Sequence, residues 1–431
     1  MGAWPALRRY RCVRRLGWEG VGVADDLEGS TGERIRRLRE QAGMSRAVLG
    51  GLVGRSAEWV KAVENGRLQT PRLPLLLGLA RALGVADLAE LTGNGVAVPV
   101  ESFTSEAHSA LGAVRAALTD YRLVQSEVQP VRSRHLAMRL EQAWAIRHST
   151  PDHRTAVGAV LPALVRDAQQ AVKAARGEER RAARKVLAGV YQLADFYVAY
   201  QPAPELVWLV ADRALTEAQE ADDPNLIAGG AWALTQALRD AGRWDEAISV
   251  SEDGARQLEP HLQSDTAPDD WRGMWAALTF ETGYVHARRG KYGLAWSYWD
   301  RANKVADQLG RAYRHTQSSF SQAVMNAHGV TLDVELRRSG DAVRRANRFD
   351  AASIPSIARR SRHLVEVARA HYQQNDFTAT YAHLVAASNT APETVRFNSY
   401  AREMAIALVA KPPTGMADEV RRLASDVGIA V

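Results

Sequence analysis

The chain is nearly devoid of cysteine: Cys12 is the only one among 431 residues. That excludes an intramolecular disulfide and a cysteine-clustered zinc site, and a reducing cytoplasm fits. No apolar run approaches the ~18 residues that span a bilayer, so no membrane partner is expected. The arginine-bearing start, MGAWPALRRYRCVRRLGWEG, has no apolar run after it and does not read as a secretory signal. With 46% hydrophobic and 24% charged residues, wholesale disorder is disfavoured.

Chemistry is also missing. There is no P-loop, and GWEGVG (Gly17 to Gly22) lacks the spacing and preceding strand of a dinucleotide loop. No serine sits in a nucleophile elbow. His148 and His153 do not share a helical face, so no metal is expected. Asp222-Asp223 and Asp269-Asp270 lie at apparent helix starts, where capping accounts for them. No cofactor and no enzymatic activity are expected.

What is present is charge in one place. Between Thr31 and Leu91 stand ten Arg/Lys and six Asp/Glu, while residues 92–431 are almost balanced, 40 against 39. A net +4 in 61 residues points to a nucleic-acid partner for that segment. Residues 1–30 carry five glycines and no helical period, and read as a flexible extension.

Five short helices are expected between Thr31 and Leu91. Thr31, Ser45 and Ser56 are placed to cap the first three, and Gly43, Gly54 and Gly66 to end them. The fourth spans Pro74 to Gly84, and the fifth contains Leu88 and Leu91. Ile35, Leu38, Leu49, Val53, Val60 and Val63 supply the inward faces. The arginines at 34, 36, 37 and 39 read as a solvated face. TGNGVAVPV then breaks the period, which gives a linker over 92–104.

From 105 to 431 the chain is helical with short breaks and no strand alternation. The class is all-α. Helix–turn–helix units turn at Gly242-Arg243-Trp244, Gly290-Lys291-Tyr292, Gly340-Asp341 and Asn375-Asp376-Phe377. In the second unit Gly283, Gly290, Tyr292, Ala295, Trp299 and Ala302 stand at the small, glycine, aromatic and alanine places of the tetratricopeptide pattern. The segment resembles a tetratricopeptide-like α-solenoid.

Gly54, Ser56, Val60, Glu64, Gly66, Pro71, Leu79, Ala80 and Leu83-Gly84 stand in the order and spacing of the phage Cro and repressor type of helix–turn–helix domain. The resemblance, to what is called the XRE family, covers residues 32–91. It implies a recognition helix over Ala57 to Asn65 in the major groove. By position, Ala57, Glu58 and Ala62 fall where the family reads bases. Ser45, Arg46, Ser56, Asn65, Arg67 and Arg72 fall where it grips phosphates, and Lys61 is a further DNA-binding candidate. Arg46 replaces the usual glutamine, Gly50-Gly51 replaces better helix formers, and two alanines at reading positions imply modest sequence specificity. Glu58 fits two roles, accepting from a cytosine amino group or favouring the helix dipole. Trp59 packs on DNA or on its own domain.

The whole architecture is similar to a large group of actinobacterial transcriptional regulators, and its domain order to the peptide-sensing regulators of Gram-positive bacteria. It implies a cytoplasmic, nucleoid-associated homodimer on double-stranded DNA, with a peptide or small-molecule effector. Gln192, Trp232, Arg239, Tyr284, Arg288 and Asn326 are the candidates for an effector groove on the concave face. The rival reading is an interaction adaptor with a degenerate DNA-binding domain.

Overall fold

Serines at 30, 45 and 56 open the first three helices, each oxygen accepting from a backbone N–H three residues on. The computed structural model describes residues 29–429, except 69–70, 72, 86, 94–106, 122–129 and 265. Two compact units, Met1–Glu101 and Ser102–Val431, divide the chain. Residues 1–28, most of the expected linker and Arg72 lie outside the described residues.

The first unit contains α1 (Thr31–Gln41), α2 (Arg46–Leu52), α3 (Ala57–Glu64), α4 (Leu73–Leu83) and α5 (Leu88–Thr92). The cap of α1 is Ser30, one residue before the expected Thr31. Ser30 and Glu33 exchange bonds in a capping box, which Thr31 cannot form with Glu33 only two residues away. Gly50 permits a close crossing, since a Cβ there would lie 2.6 Å from the Arg55 carbonyl oxygen. Gly54 takes φ 66° at the turn that follows. Ile35, Leu49, Val60, Val63, Leu79 and Leu91 form the core, whereas Leu38 and Val53 are only half-buried.

Arg34 and Arg39 are buried, so the expected solvated arginine face of α1 is reduced to Arg36 and the half-buried Arg37. Arg34 lies against Gly93, where any Cβ would overlap its guanidinium. Arg39 turns inward because a carboxylate, Glu64, waits there.

The second unit runs through α6 (Leu111–Leu118), α7 (Ser133–Ser149), α8 (His153–Ala174), α9 (Gly177–Val198), α10 (Pro204–Glu220), α11 (Pro224–Asp240), α12 (Trp244–Leu258), α13 (Asp269–Arg288) and α14 (Tyr292–Leu309). It continues with α15 (Gln322–Glu335), α16 (Ser339–Ala346), α17 (Ile357–Gln373), α18 (Phe377–Thr390), α19 (Pro392–Arg396), α20 (Ser399–Ala410) and α21 (Ala417–Asp426). No helix among the described residues is long and apolar enough to cross a membrane. Gly242, Gly290 and Asn375 take positive φ at three turns, as the spacing predicts. The fourth turn is displaced: Arg337 takes φ 60°, and Gly340 lies inside α16. The glycine there attracts the sequence reading, but the arginine bears the strain.

Consecutive helices pack as pairs, and α7, α9, α11, α13, α15 and α17 also pack successively on one another as an inner layer. This layer does not remain an open arc, because α17 packs against α7. Two clasps tie the closure. His148 on α7 bonds the Thr316 carbonyl at 2.7 Å and the Ser356 hydroxyl at 3.0 Å. Glu393 on α19 accepts from the Arg154 and Thr155 backbone N–H groups (2.5 and 3.2 Å) and from the Thr155 hydroxyl (2.6 Å). A carboxylate at that helix start satisfies donors that the helix itself leaves free.

Candidate functional site

On α3, Val60, Val63 and Glu64 face inward, while Glu58, Lys61 and Asn65 are exposed on one side. Ala57 and Ala62 are half-buried between them. Ser45, Ser56 and Arg67 are exposed, and both serine hydroxyls also cap their helices at 3.2 Å. Trp59 is half-buried, and the Arg55 guanidinium lies 5.9 Å from its ring centre.

Arg46 is not wholly free. Its Nε donates to Glu64 at 2.7 Å, while a third of its side chain stays exposed. Glu64 therefore receives two guanidinium groups, Arg39 at 2.6 Å and Arg46, on a carboxylate with no exposed surface. Burial alone would raise its pKa. The two arginines override this and hold it below the ordinary value. The same ion cluster that fixes α1, α2 and α3 thus orients Arg46.

The second unit holds two adjoining, partly open cavities of about 340 Å³ each. Tyr200, Gln236, Arg239, Asp240, Arg359 and Arg362 line both. The first chamber has paired charges. Arg239 meets Glu281 at 2.5 Å and Asp240 at 3.1 Å, and stacks over Tyr284 at 4.8 Å. Arg362 meets Glu366 at 2.7 Å. His328 stacks on Phe280 at 3.8 Å, and burial, ahead of nearby arginines, holds it well below the ordinary histidine value.

The second chamber is different. Arg147, Arg154 and Arg359 line it, and none of the three has an ion pair among the described residues. The Arg147 guanidinium lies over Phe196 at 5.1 Å. Arg154 donates to the Tyr197 carbonyl at 2.6 Å, at the carboxyl end of α9, and Arg359 to the Ser318 carbonyl at 2.9 Å. Burial, followed by the charges of Arg154 and Arg359, pushes Arg147 down to about 9. Asp195, buried in the same chamber, is pushed up to about 7 by burial and then by Asp240.

Of the six groove residues expected from sequence, Arg239, Tyr284 and Arg288 line the first chamber. Gln192 is buried against the Leu226 carbonyl at 3.1 Å, and Trp232 is packed in the core beside Phe196. Neither they nor the half-buried Asn326 line the two chambers. Sequence reasoning passed over Arg147, Arg154, Asp195, Arg359 and Arg362. One signal was there. On α17 the charged Arg359, Arg362, Glu366 and Arg369 follow helical spacing beside the apolar Ala358, Val365 and Ala368, a stripe that an outward face does not need.

Residues 31–92 match the family model of a helix-turn-helix domain. No curated protein matches the chain. Among solved structures, Bacillus thuringiensis PlcR in complex with the peptide PapR7 and DNA is similar at 13% identity, over 84% of this chain and 99% of that one, with a TM-score of 0.27. A Rap protein complexed with competence and sporulation factor is similar at 12% identity, over 85% and 99%, with a TM-score of 0.37. ComR from S. thermophilus, in complex with DNA and its signalling peptide ComS, is similar at 12% identity, over 84% and 99%, with a TM-score of 0.27. These likenesses are too loose to carry a function onto the chain.

Proposed function

We propose that the chain is a DNA-binding transcriptional regulator of the Cro/repressor type. Residues 31–91 bind the operator, and the tetratricopeptide-like residues 105–431 pair two copies and receive an effector. The carrying observation is the exposed face of α3, with Glu58, Lys61 and Asn65 aligned and Ser45, Arg46, Ser56 and Arg67 around it, inside a segment that matches a helix-turn-helix domain. A helix presented this way is a shape that the major groove admits. One motif reads only a few base pairs, so a homodimer on two half-sites about one helical turn apart supplies the affinity. Such a protein works at the nucleoid, in the cytoplasm.

The test is selection of genomic fragments by the full-length chain, followed by gel shift. Recovery of a short sequence with two half-sites is the expected outcome. Binding without any sequence preference, unaffected by Glu58→Gln and Lys61→Ala together, would sink the reading in favour of an adaptor.

A further inference from the structure

We propose that the effector, in the sensing role assigned above, is a compact small molecule whose carboxylate or phosphate sits in the second chamber, between Arg147, Arg154 and Arg359. Three observations lead there. The first is charge without a direct ion pair: Glu393 and Glu281 act on the Arg154 and Arg359 guanidinium groups only from beyond bonding distance. The other lumen arginines, Arg239, Arg288 and Arg362, hold acids at 2.5, 3.4 and 2.7 Å, whereas these three hold carbonyls and aromatic rings. A buried charge is tolerated when paired, and the missing partner here is an anion.

The second is a set of donors without acceptors. Arg147 Nε and Nη1, Arg154 Nε, Gln201 Nε2 and Thr394 Oγ1 are buried with no hydrogen-bond partner, and all four residues line this one chamber. The Gln201 carbonyl oxygen is already taken by the His108 N–H at 2.8 Å, so its amide group is committed to donating. Buried polar groups are nearly always satisfied, so a cluster of orphans around one cavity marks where a ligand belongs. Water would satisfy donors but would leave the charge. A carboxylate or phosphate oxygen accepts from several guanidinium and amide donors at once.

The third is that neither acid of the chamber fills this role: Asp240 is taken by Arg239 at 3.1 Å and Arg288 at 3.4 Å, and Asp195 pairs with none of the three. The Asp195 carboxyl makes no hydrogen bond or ion pair among the described residues, and burial and Asp240 keep its proton on to about neutral pH. Phe196 and Trp208 line the same chamber and offer an apolar seat for the rest of the ligand. At about 340 Å³ the space takes a metabolite-sized body.

The experiment is thermal unfolding of the full-length chain in inorganic phosphate against chloride, at equal pH and ionic strength. Trialanine with a free or an amidated carboxyl end forms the second arm. A ligand that binds the folded state raises Tm by mass action, here by a few degrees. The oxyanion is expected to do this and the amide is not. A response to phosphate alone assigns a phosphate-bearing ligand, and a response to free-acid trialanine assigns a carboxylate. Arg147→Met should raise Tm without ligand, because it removes an uncompensated buried charge, and should abolish the response. Thr394→Val, which removes one orphan hydroxyl, should weaken the response without lowering Tm. No response from either oxyanion, or an unchanged response in Arg147→Met, overturns the inference. Gel shift on the same preparations separates the two readings. DNA binding without an oxyanion response leaves the regulator standing. An oxyanion response with unchanged operator affinity keeps the site and removes its sensing role.

Discussion

Arg39 Nε donates to Glu64 Oε1 at 2.6 Å, and this pair, of residues 25 apart in sequence, is buried on both sides. Breaking a buried pair leaves one charge uncompensated and costs on the order of 3 kcal/mol. Glu64→Gln is therefore expected to unfold or loosen the first unit, seen as lost hydrogen-exchange protection of the amides in α1 to α3. The pH dependence has a definite sign. The folded Glu64 pKa lies below that of an unfolded glutamate, so its contribution is complete above the unfolded value and is lost only as pH falls beneath it. Unchanged protection in Glu64→Gln would show that the cluster contributes nothing.

Arg46 shares that carboxylate and keeps a third of its side chain exposed. Arg46→Ala should weaken binding to specific and random DNA alike. The slope of log affinity against log salt should fall by about one, the mark of one lost phosphate contact. Glu58→Gln should instead change which sequences are preferred. A changed preference in Arg46→Ala with an unchanged salt slope would reverse the two roles.

The helices of the first unit were legible because caps and turns are local: Ser45, Ser56, Gly54 and Gly66 act within a few residues of themselves. The same locality exposes its limit at Arg39, where a residue 25 positions away decides whether an arginine is surface or core. In the second unit the pairing of helices was readable from turns, but the closure of α17 on α7 was not. It rests on His148 meeting Ser356 and on Arg154 meeting Glu393, separations of 208 and 239 residues with no periodic trace. The expected groove becomes the partly open lumen of a closed ring of helices for that reason. All of these residues lie on inner helices; Arg239, Tyr284 and Arg288 take the lumen side, while Gln192 and Trp232 face neighbouring helices.

Gly283 gives a direct check on the repeat packing. A Cβ there would lie 2.9 Å from the Tyr298 Cβ and 3.0 Å from the Ala295 carbonyl oxygen, so α13 and α14 must move apart to admit one. Gly283→Leu should cost roughly 1–3 kcal/mol, the usual cost of overpacking, or more. Gly290→Asn should cost far less, because its φ of 73° suits asparagine and no atom lies within 4 Å of a new Cβ. Urea unfolding of the two variants compares them, and equal stabilities would mean that the crossing is loose.

His148 makes the ring closure sensitive to acid. Burial, and then the charge of Arg147, push its pKa down to about 3, and burial with Arg147 and Arg154 pushes His153 down to about 2. Both are neutral in the folded chain at any mild pH, whereas an unfolded histidine takes a proton near 6.5. Below that value the unfolded state binds more protons, so stability is flat above about pH 6.5 and falls as pH drops beneath it. Each such histidine adds about 1.4 kcal/mol per pH unit to the slope. Geometry fixes the reason for neutrality: Nε2 donates to the Thr316 carbonyl and Nδ1 accepts from Ser356, so an added proton would break the second bond. His148→Gln preserves a donor and an acceptor without a titration. Its urea-unfolding free energy between pH 5 and 6.5 should fall less steeply than that of the parent, by about 1 kcal/mol per pH unit averaged over that window. Parallel slopes in the two proteins would mean that His148 is already free to take a proton, and that the clasp is open.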